Sequence, residues 1–224
     1  LSMLMVFSLN LNLLLNYSAV QTTQAASSEI NDSSGADYCK SIAVDSSENV
    51  YCTGLTNENL GETSVGVQDA MVFKMDTNGN LIWLTQIGAT AQSVSAEIVD
   101  TSLNEECTGV DVDNFGNVYC SGHTLGSLGE TSGGTNDIFI LKLDSSGAID
   151  WLNQIGGPTQ SSSPEINSTS GNDYTTDIKI SSGNIFISGF TTGSLGEGNG
   201  GTNDSYILKL DSLGITTWLT HLGL

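Results

Sequence analysis

The most informative hydrophobic pattern in the chain is DAMVFKMD at 69–76, where both alternating sets of positions are apolar. Ala70 and Val72 form one set, and Met71, Phe73 and Met75 the other. At 137–144, Ile138 and Ile140 stand opposite Phe139, Leu141 and Leu143 in the same way. A strand that is apolar on both faces has to be covered on both. Around the first of these runs, short apolar stretches alternate with clusters of Asp, Ser, Asn and Gly. The pattern predicts strands at about 38–45, 49–55, 69–76 and 80–87, with DSSEN and DTNGN as the turns of two hairpins. No amphipathic helical period interrupts them.

This unit is repeated. Trp83, Trp151 and Trp218 recur at intervals of 68 and 67, as do Gly54, Gly122 and Gly189, and Asp69, Asp137 and Asp204. The one-residue difference falls in a turn, where DNFGN after Val112 becomes SSGN after Ile180, a place where a hairpin tolerates a length change. The Ser-rich connector repeats as well, as TQAASSEI at 23–30, AQSVSAEI at 91–98 and TQSSSPEI at 159–166. The units with their connectors are therefore 23–88, 89–156 and 157–224. Four-stranded antiparallel sheets packed face to face around an axis cover both faces of every strand, so the expected class is all-β, with three β-propeller blades. Residues 1–22 admit two readings: a degenerate half-blade, in which Met5-Val6-Phe7 matches Met71-Val72-Phe73, or a truncated signal segment. Asn10, Asn12 and Asn16 argue against a membrane-spanning helix there. Three blades do not close a ring of four to eight, and with Leu1 in place of Met the expectation is an open fragment of a larger propeller, or a chain that self-associates through its open blade faces.

IAVDSSENVYCTGLT, VDVDNFGNVYCSGHT and IKISSGNIFISGFT, each followed by a segment of the type DIFILKLDSSGAIDWLNQIG, resemble the bacterial β-propeller repeat called SBBP-type. The resemblance covers residues 37–223. It implies a secreted or cell-surface propeller and transfers no catalytic residue. The cysteines depart from the repeat pattern.

Charge narrows the partners. Twenty-five acidic residues face five lysines and no arginine, for a formal net charge of −20. Such a chain lacks the cationic surface that nucleic acid or an anionic membrane requires. A protein, a glycan or a cation is the expected partner, with Ca²⁺ the one metal to consider. Cys39, Cys52, Cys107 and Cys120 are two copies of two positions, read as filled by Thr175 and Ser188 in the third unit. Buried free thiols are the leading expectation, with disulfides or a metal site as alternatives.

No catalytic constellation emerges. Asp76, Asp144 and Asp211 open turns that lack the EF-hand spacing and its distal Glu, so they read as hairpin capping. Lys74, Lys142 and Lys209, two residues earlier, suggest repeated ion pairs, and the tryptophans read as packing anchors between blades rather than glycan platforms. His123 and His221 occupy different positions in their units and form no His pair or Ser-His-Asp order. The asparagine and glycine of the turns serve geometry. The remaining candidate surface is the loop between the second and third strands, NLGETSVGVQD, SLGETSGGTND and SLGEGNGGTND. Its candidate contact residues are Glu62, Thr63, Glu130, Thr131, Glu197 and Asn199. The expectation is a non-enzymatic extracellular binding scaffold without a cofactor. The alternatives are a fragment of a propeller hydrolase or quinone-dependent oxidoreductase, and a spacer in a surface adhesin.

Overall fold

The computed structural model describes residues 35–60, 64, 66–88, 103–128, 132–133, 135–156, 166, 171–196 and 200–222. Residues 1–22, the connectors apart from Ile166, and all six candidate loop residues lie outside them. Twelve strands are described: β1 Asp37–Val44, β2 Val50–Thr56, β3 Asp69–Met75, β4 Leu81–Ile87, β5 Glu105–Val112, β6 Val118–Thr124, β7 Asp137–Leu143, β8 Ile149–Ile155, β9 Asp173–Ser181, β10 Asn184–Thr191, β11 Asp204–Leu210 and β12 Thr216–Leu222. They form three four-stranded antiparallel sheets, each in sequential order. These are propeller blades, and the sheets do not close a ring. Among the described residues no helix is long and apolar enough to cross a membrane.

Five of the six short hairpin turns are built by an aspartate, Asp45, Asp76, Asp113, Asp144 and Asp211, and the shortened β9–β10 turn has none. Asp76 Oδ1 accepts the amides of Asn78 and Asn80 at 2.8 Å, and its Oδ2 accepts the Asn80 side chain at 2.7 Å. Asp45 and Asp113 repeat the pattern in the first hairpins of blades 1 and 2. Hydrogen bonds from Asn80 hold the Asp76 carboxyl below the usual carboxylate range. The turn reading of these aspartates is thus what the geometry shows.

Directly opposed residues share a sheet face, so the pairing assigns every side chain to the preceding or the following blade. Tyr51, Ala70, Val72, Trp83 and Ile87 leave blade 1 forwards and meet Val110, Cys120, Phe139, Leu141 and Leu152 of blade 2 in one buried cluster. Tyr119, Ile138, Ile140 and Ile155 meet Ile178, Ile187, Tyr206 and Leu208 of blade 3 in the next. The doubly apolar pattern of β3 and β7 is satisfied in this way.

Two expectations are corrected. The cysteines are not free thiols: Cys39 bonds Cys52 and Cys107 bonds Cys120, with Cα atoms 5.9 and 6.1 Å apart. A bulge at Lys40 and again at Thr108 brings each pair of neighbouring strands into that reach. In the third blade the register places Ile187 opposite Ile178, as Cys120 stands opposite Val110, so Ile187 and not Ser188 is the counterpart of Cys120. The shortened turn before β10 moves the numbering by one. The lysines differ too. Lys142 pairs with Asp150 at 2.6 Å, but Lys74 and Lys209 lie over the rings of Tyr51 and Phe186 at 5.1 and 5.6 Å. Asp150 occupies the bulged place in β8 that Ile82 and Thr217 fill in the other blades, and only there is a carboxylate at hand.

Candidate functional site

The described residues at the neck of the loop between second and third strands form a repeated polar clamp. In blade 1, Gln86 on β4 donates to Asp69 Oδ2 at 2.6 Å and to the Glu58 carbonyl at 3.0 Å, while its Oε1 accepts the Leu60 amide at 3.0 Å. In blade 2, Gln154 donates to Asp137 Oδ2 at 2.8 Å and to the Gly126 carbonyl at 3.0 Å, and accepts the Leu128 amide at 2.7 Å. Gln86, Gln154, Asp69 and Asp137 are fully or almost fully buried. Asp137 also accepts the Gly133 amide at 3.1 Å, and Asp204 accepts that of Gly200 at 2.7 Å, so in blades 2 and 3 the aspartate holds the returning limb of its loop.

The outgoing limb starts on a threonine. Thr56 donates to Asp37 at 2.6 Å and Thr124 to Glu105 at 3.0 Å, and their hydroxyls accept the amides of Glu58 and Gly126. Backbone bonds then tie successive loop necks together, from the Glu105 amide to the Gln68 carbonyl at 3.0 Å and from the Asp173 amide to the Asn136 carbonyl at 2.8 Å. All these contacts gather at one end of the blades. The necks of the loops therefore lie at that end, and the tips that carry Glu62, Thr63, Glu130, Thr131, Glu197 and Asn199 are outside the described residues.

In blade 3 the glutamine is replaced by His221, opposite Tyr206 in the register where Gln86 faces Met71. It is buried. His123 is packed between blades 2 and 3, its ring edge-on to Tyr174 at 5.0 Å. Burial pushes its pKa below the ordinary value, against the opposing pull of Glu106. Among the described residues no group of three or more His, Cys, Asp or Glu side chains is placed to hold a metal ion.

The tryptophans mark the junctions between blades. Trp83 Nε1 donates to the Ser145 carbonyl at 3.1 Å, and a Cβ built on Gly147 would lie 2.7 Å from its ring. Thr85 donates to the Gly147 carbonyl at 2.6 Å. At the next junction Trp151 faces Gly214 and Asn153 donates to the Gly214 carbonyl at 2.8 Å. The packing role expected of the tryptophans holds at both junctions. On the last sheet Trp218 is 41% exposed, beside an open groove of about 130 Å³ between β9, β10 and β11.

The clamp was legible only in part. The recurring Asp69, Asp137 and Asp204 were visible, but their partners lie 17 residues away on another strand, and the break from Gln to His in the third copy hides the pairing.

Residues 22–62 match the family described as beta-propeller repeat. An uncharacterized WD repeat-containing protein of Acanthamoeba polyphaga mimivirus is 28% identical over 183 residues, covering 72% of this chain. The chain spans 12% of the length of that relative. A solved structure of a protein of unknown function from Bacteroides caccae aligns over 85% of this chain and 83% of its own, at 8% identity and a TM-score of 0.34.

Proposed function

Taking the chain as a run of β-propeller repeats, we propose that it is a non-enzymatic interaction scaffold that binds a protein, glycan or cation ligand through the rim of loops between second and third strands. The observation that carries this reading is the clamp. Two consecutive blades commit a buried Asp and Gln, together with a Thr at the strand end, to fixing the neck of the same loop. A rigid base lowers the entropic cost of presenting contact groups and is the arrangement that loop-borne binding sites favour. Glu62, Glu130 and Glu197 would give such a rim its acidic, oxygen-rich character.

The buried polar groups support a role without turnover. Asp69 and Asp137 accept hydrogen bonds from Gln86 and Gln154, and the turn aspartates are engaged by backbone amides, so these carboxylates serve the architecture. An extracellular or cell-surface setting is the companion proposal. It is supported by two disulfides that persist in oxidising compartments, and by the strong negative charge.

The test is binding of the whole chain to an immobilised glycan panel and, by calorimetry, to CaCl₂, compared with a Glu62→Gln, Glu130→Gln, Glu197→Gln triple variant. Binding that the triple variant loses at unchanged melting temperature supports the rim. Binding that the triple variant keeps, or no binding to either probe, sinks it.

A further inference from the structure

The three blades belong to one periodic series, and each junction uses the same two devices. The first is a plug: on the first strand of a blade, one apolar side chain points backwards into the preceding blade. Val110 on β5 and Ile178 on β9 do this and are fully buried. Their counterpart on β1 is Ile42, opposite Cys52 as Val110 is opposite Cys120, and it is 63% exposed. Val44, one step along the same face, is also exposed. The second device is a forward groove that receives the next blade's first strand. On blade 2, Gly109 and Ser121 border it, and the backbone of β9 passes so close that a Cβ on Gly109 would lie 3.0 Å from the Ile178 nitrogen. The same positions on blade 3 are Asp177 and Ser188, and with Phe186, Ile187 and Ile207 they line the open groove.

The tryptophan series leaves a matching remainder. Trp83 sits on the turn at Gly147 and Trp151 on the turn at Gly214. Among the described residues Trp218 has no such turn, and the turn at Gly79 has nothing within 4 Å of where its Cβ would stand. Thr220, in the register of Thr85 and Asn153, is left without a glycine carbonyl to bind. One plug, one groove, one tryptophan and one turn remain over, and each is the complement of another.

We infer that two copies of this chain associate head to tail, β1 of each seating in the blade 3 groove of the other, with Ile42 filling the groove and Gly79 lying under Trp218. Continuity with the two junctions already made inside the chain selects this occupant. Two such contacts join the six described blades of two copies, a number within the range of four to eight that propellers use. A net charge of −20 on each copy opposes the encounter, so the pairing tightens with added salt. Asp177 stands where Gly109 lets the next strand approach, and Asp177→Gly tightens the pairing further. The inference rests on the blade geometry and is independent of the rim as a ligand site.

The experiment is sedimentation velocity of the whole chain at 0.15 M and 0.5 M NaCl, where the Debye length is about 8 and about 4 Å, with Ile42→Asp as the plug variant and Ser188→Arg as the groove variant. The expected result is a species of twice the chain mass, weakened by about 100-fold or more in each variant, as loss of a central apolar contact does. An equimolar mixture of the two variants regains a two-copy species, because one intact plug then meets one intact groove. Mere misfolding would not be rescued by mixing. A wild-type monomer, variants that still pair, a mixture that stays monomeric, or a species that grows beyond two copies each overturns the inference.

Discussion

Trp83→Ala tests whether adjacent blades are coupled through the tryptophan and the following turn. Trp83 is 8% exposed, donates to the Ser145 carbonyl at 3.1 Å and covers Gly147. Truncating a buried tryptophan costs about 3–5 kcal/mol, and the carbonyl left behind adds about 1 kcal/mol. The partner perturbation is Gly147→Ala. Gly147 has φ +87°, so alanine there incurs about 1 kcal/mol of backbone strain, and its Cβ, 2.7 Å from the indole, adds about 1–3 kcal/mol of overpacking. With Trp83 already truncated only the strain remains. The double-mutant cycle therefore carries a coupling of about 1–3 kcal/mol. Urea unfolding followed by far-ultraviolet circular dichroism, in dilute protein, measures all four corners. The same truncation at Trp218, which has no following turn, costs roughly half as much as at Trp83 because less area leaves water. If Gly147→Ala costs the same with and without Trp83, or if Trp218→Ala equals Trp83→Ala, the junction is not built as described.

Other consequences can be measured independently. Thiol titration in denaturant should find no free thiol before reduction and four after it; replacing Cys107 and Cys120 by serine, which opens a loop of 13 residues, should cost about 2–4 kcal/mol, and reactive thiols in the unreduced protein would contradict the pairing. Gln154→Ala removes both the Asp137 contact and the anchor of the Leu128 amide; it should cost about 2–3 kcal/mol and speed amide exchange at 126–128, and unchanged exchange there would remove the clamp from the loop's support. His123 has a folded pKa below its ordinary value of 6.5 because it is buried. The unfolded chain then binds more protons, so the stability contributed by the neutral imidazole is present above pH 6.5 and is lost as pH falls from there towards the folded pKa. His123→Leu, the residue type at position 55, should abolish that part of the pH slope, and an identical slope in the variant would place the titration elsewhere.

Much of the fold was legible before any coordinates. Strand positions, their number and their order followed from period-two apolar runs and from turns whose Asp, Asn and Gly act locally, within four residues of the strands they join. The recurrence of Trp, Gly and Asp at one interval told that the units stack, because a sheet apolar on both faces has no other way to leave water. The candidate loops were legible as loops, and their tips lie outside the described residues.

What tertiary structure alone decided depends on pairing across distance. Cys39 and Cys52 were visible as a repeated pair, but a disulfide needs Cα atoms within about 7 Å, and it is the bulge at Lys40 that brings them to 5.9 Å. Ile187 took the place assigned to Ser188 because register, set by hydrogen bonds between strands, outranks position in a sequence with a shortened turn. Gln86 and Gln154 carry no local signal of their role, and burial beside Asp69 and Asp137 makes them anchors. Ile42, Val110 and Ile178 are equivalent in the repeat, yet two are buried and one is exposed. Local sequence determines which way a side chain points from its own sheet. Whether anything meets it depends on the neighbouring blade, and that is a property of the assembly of sheets, where the hydrophobic driving force is finally satisfied or left open.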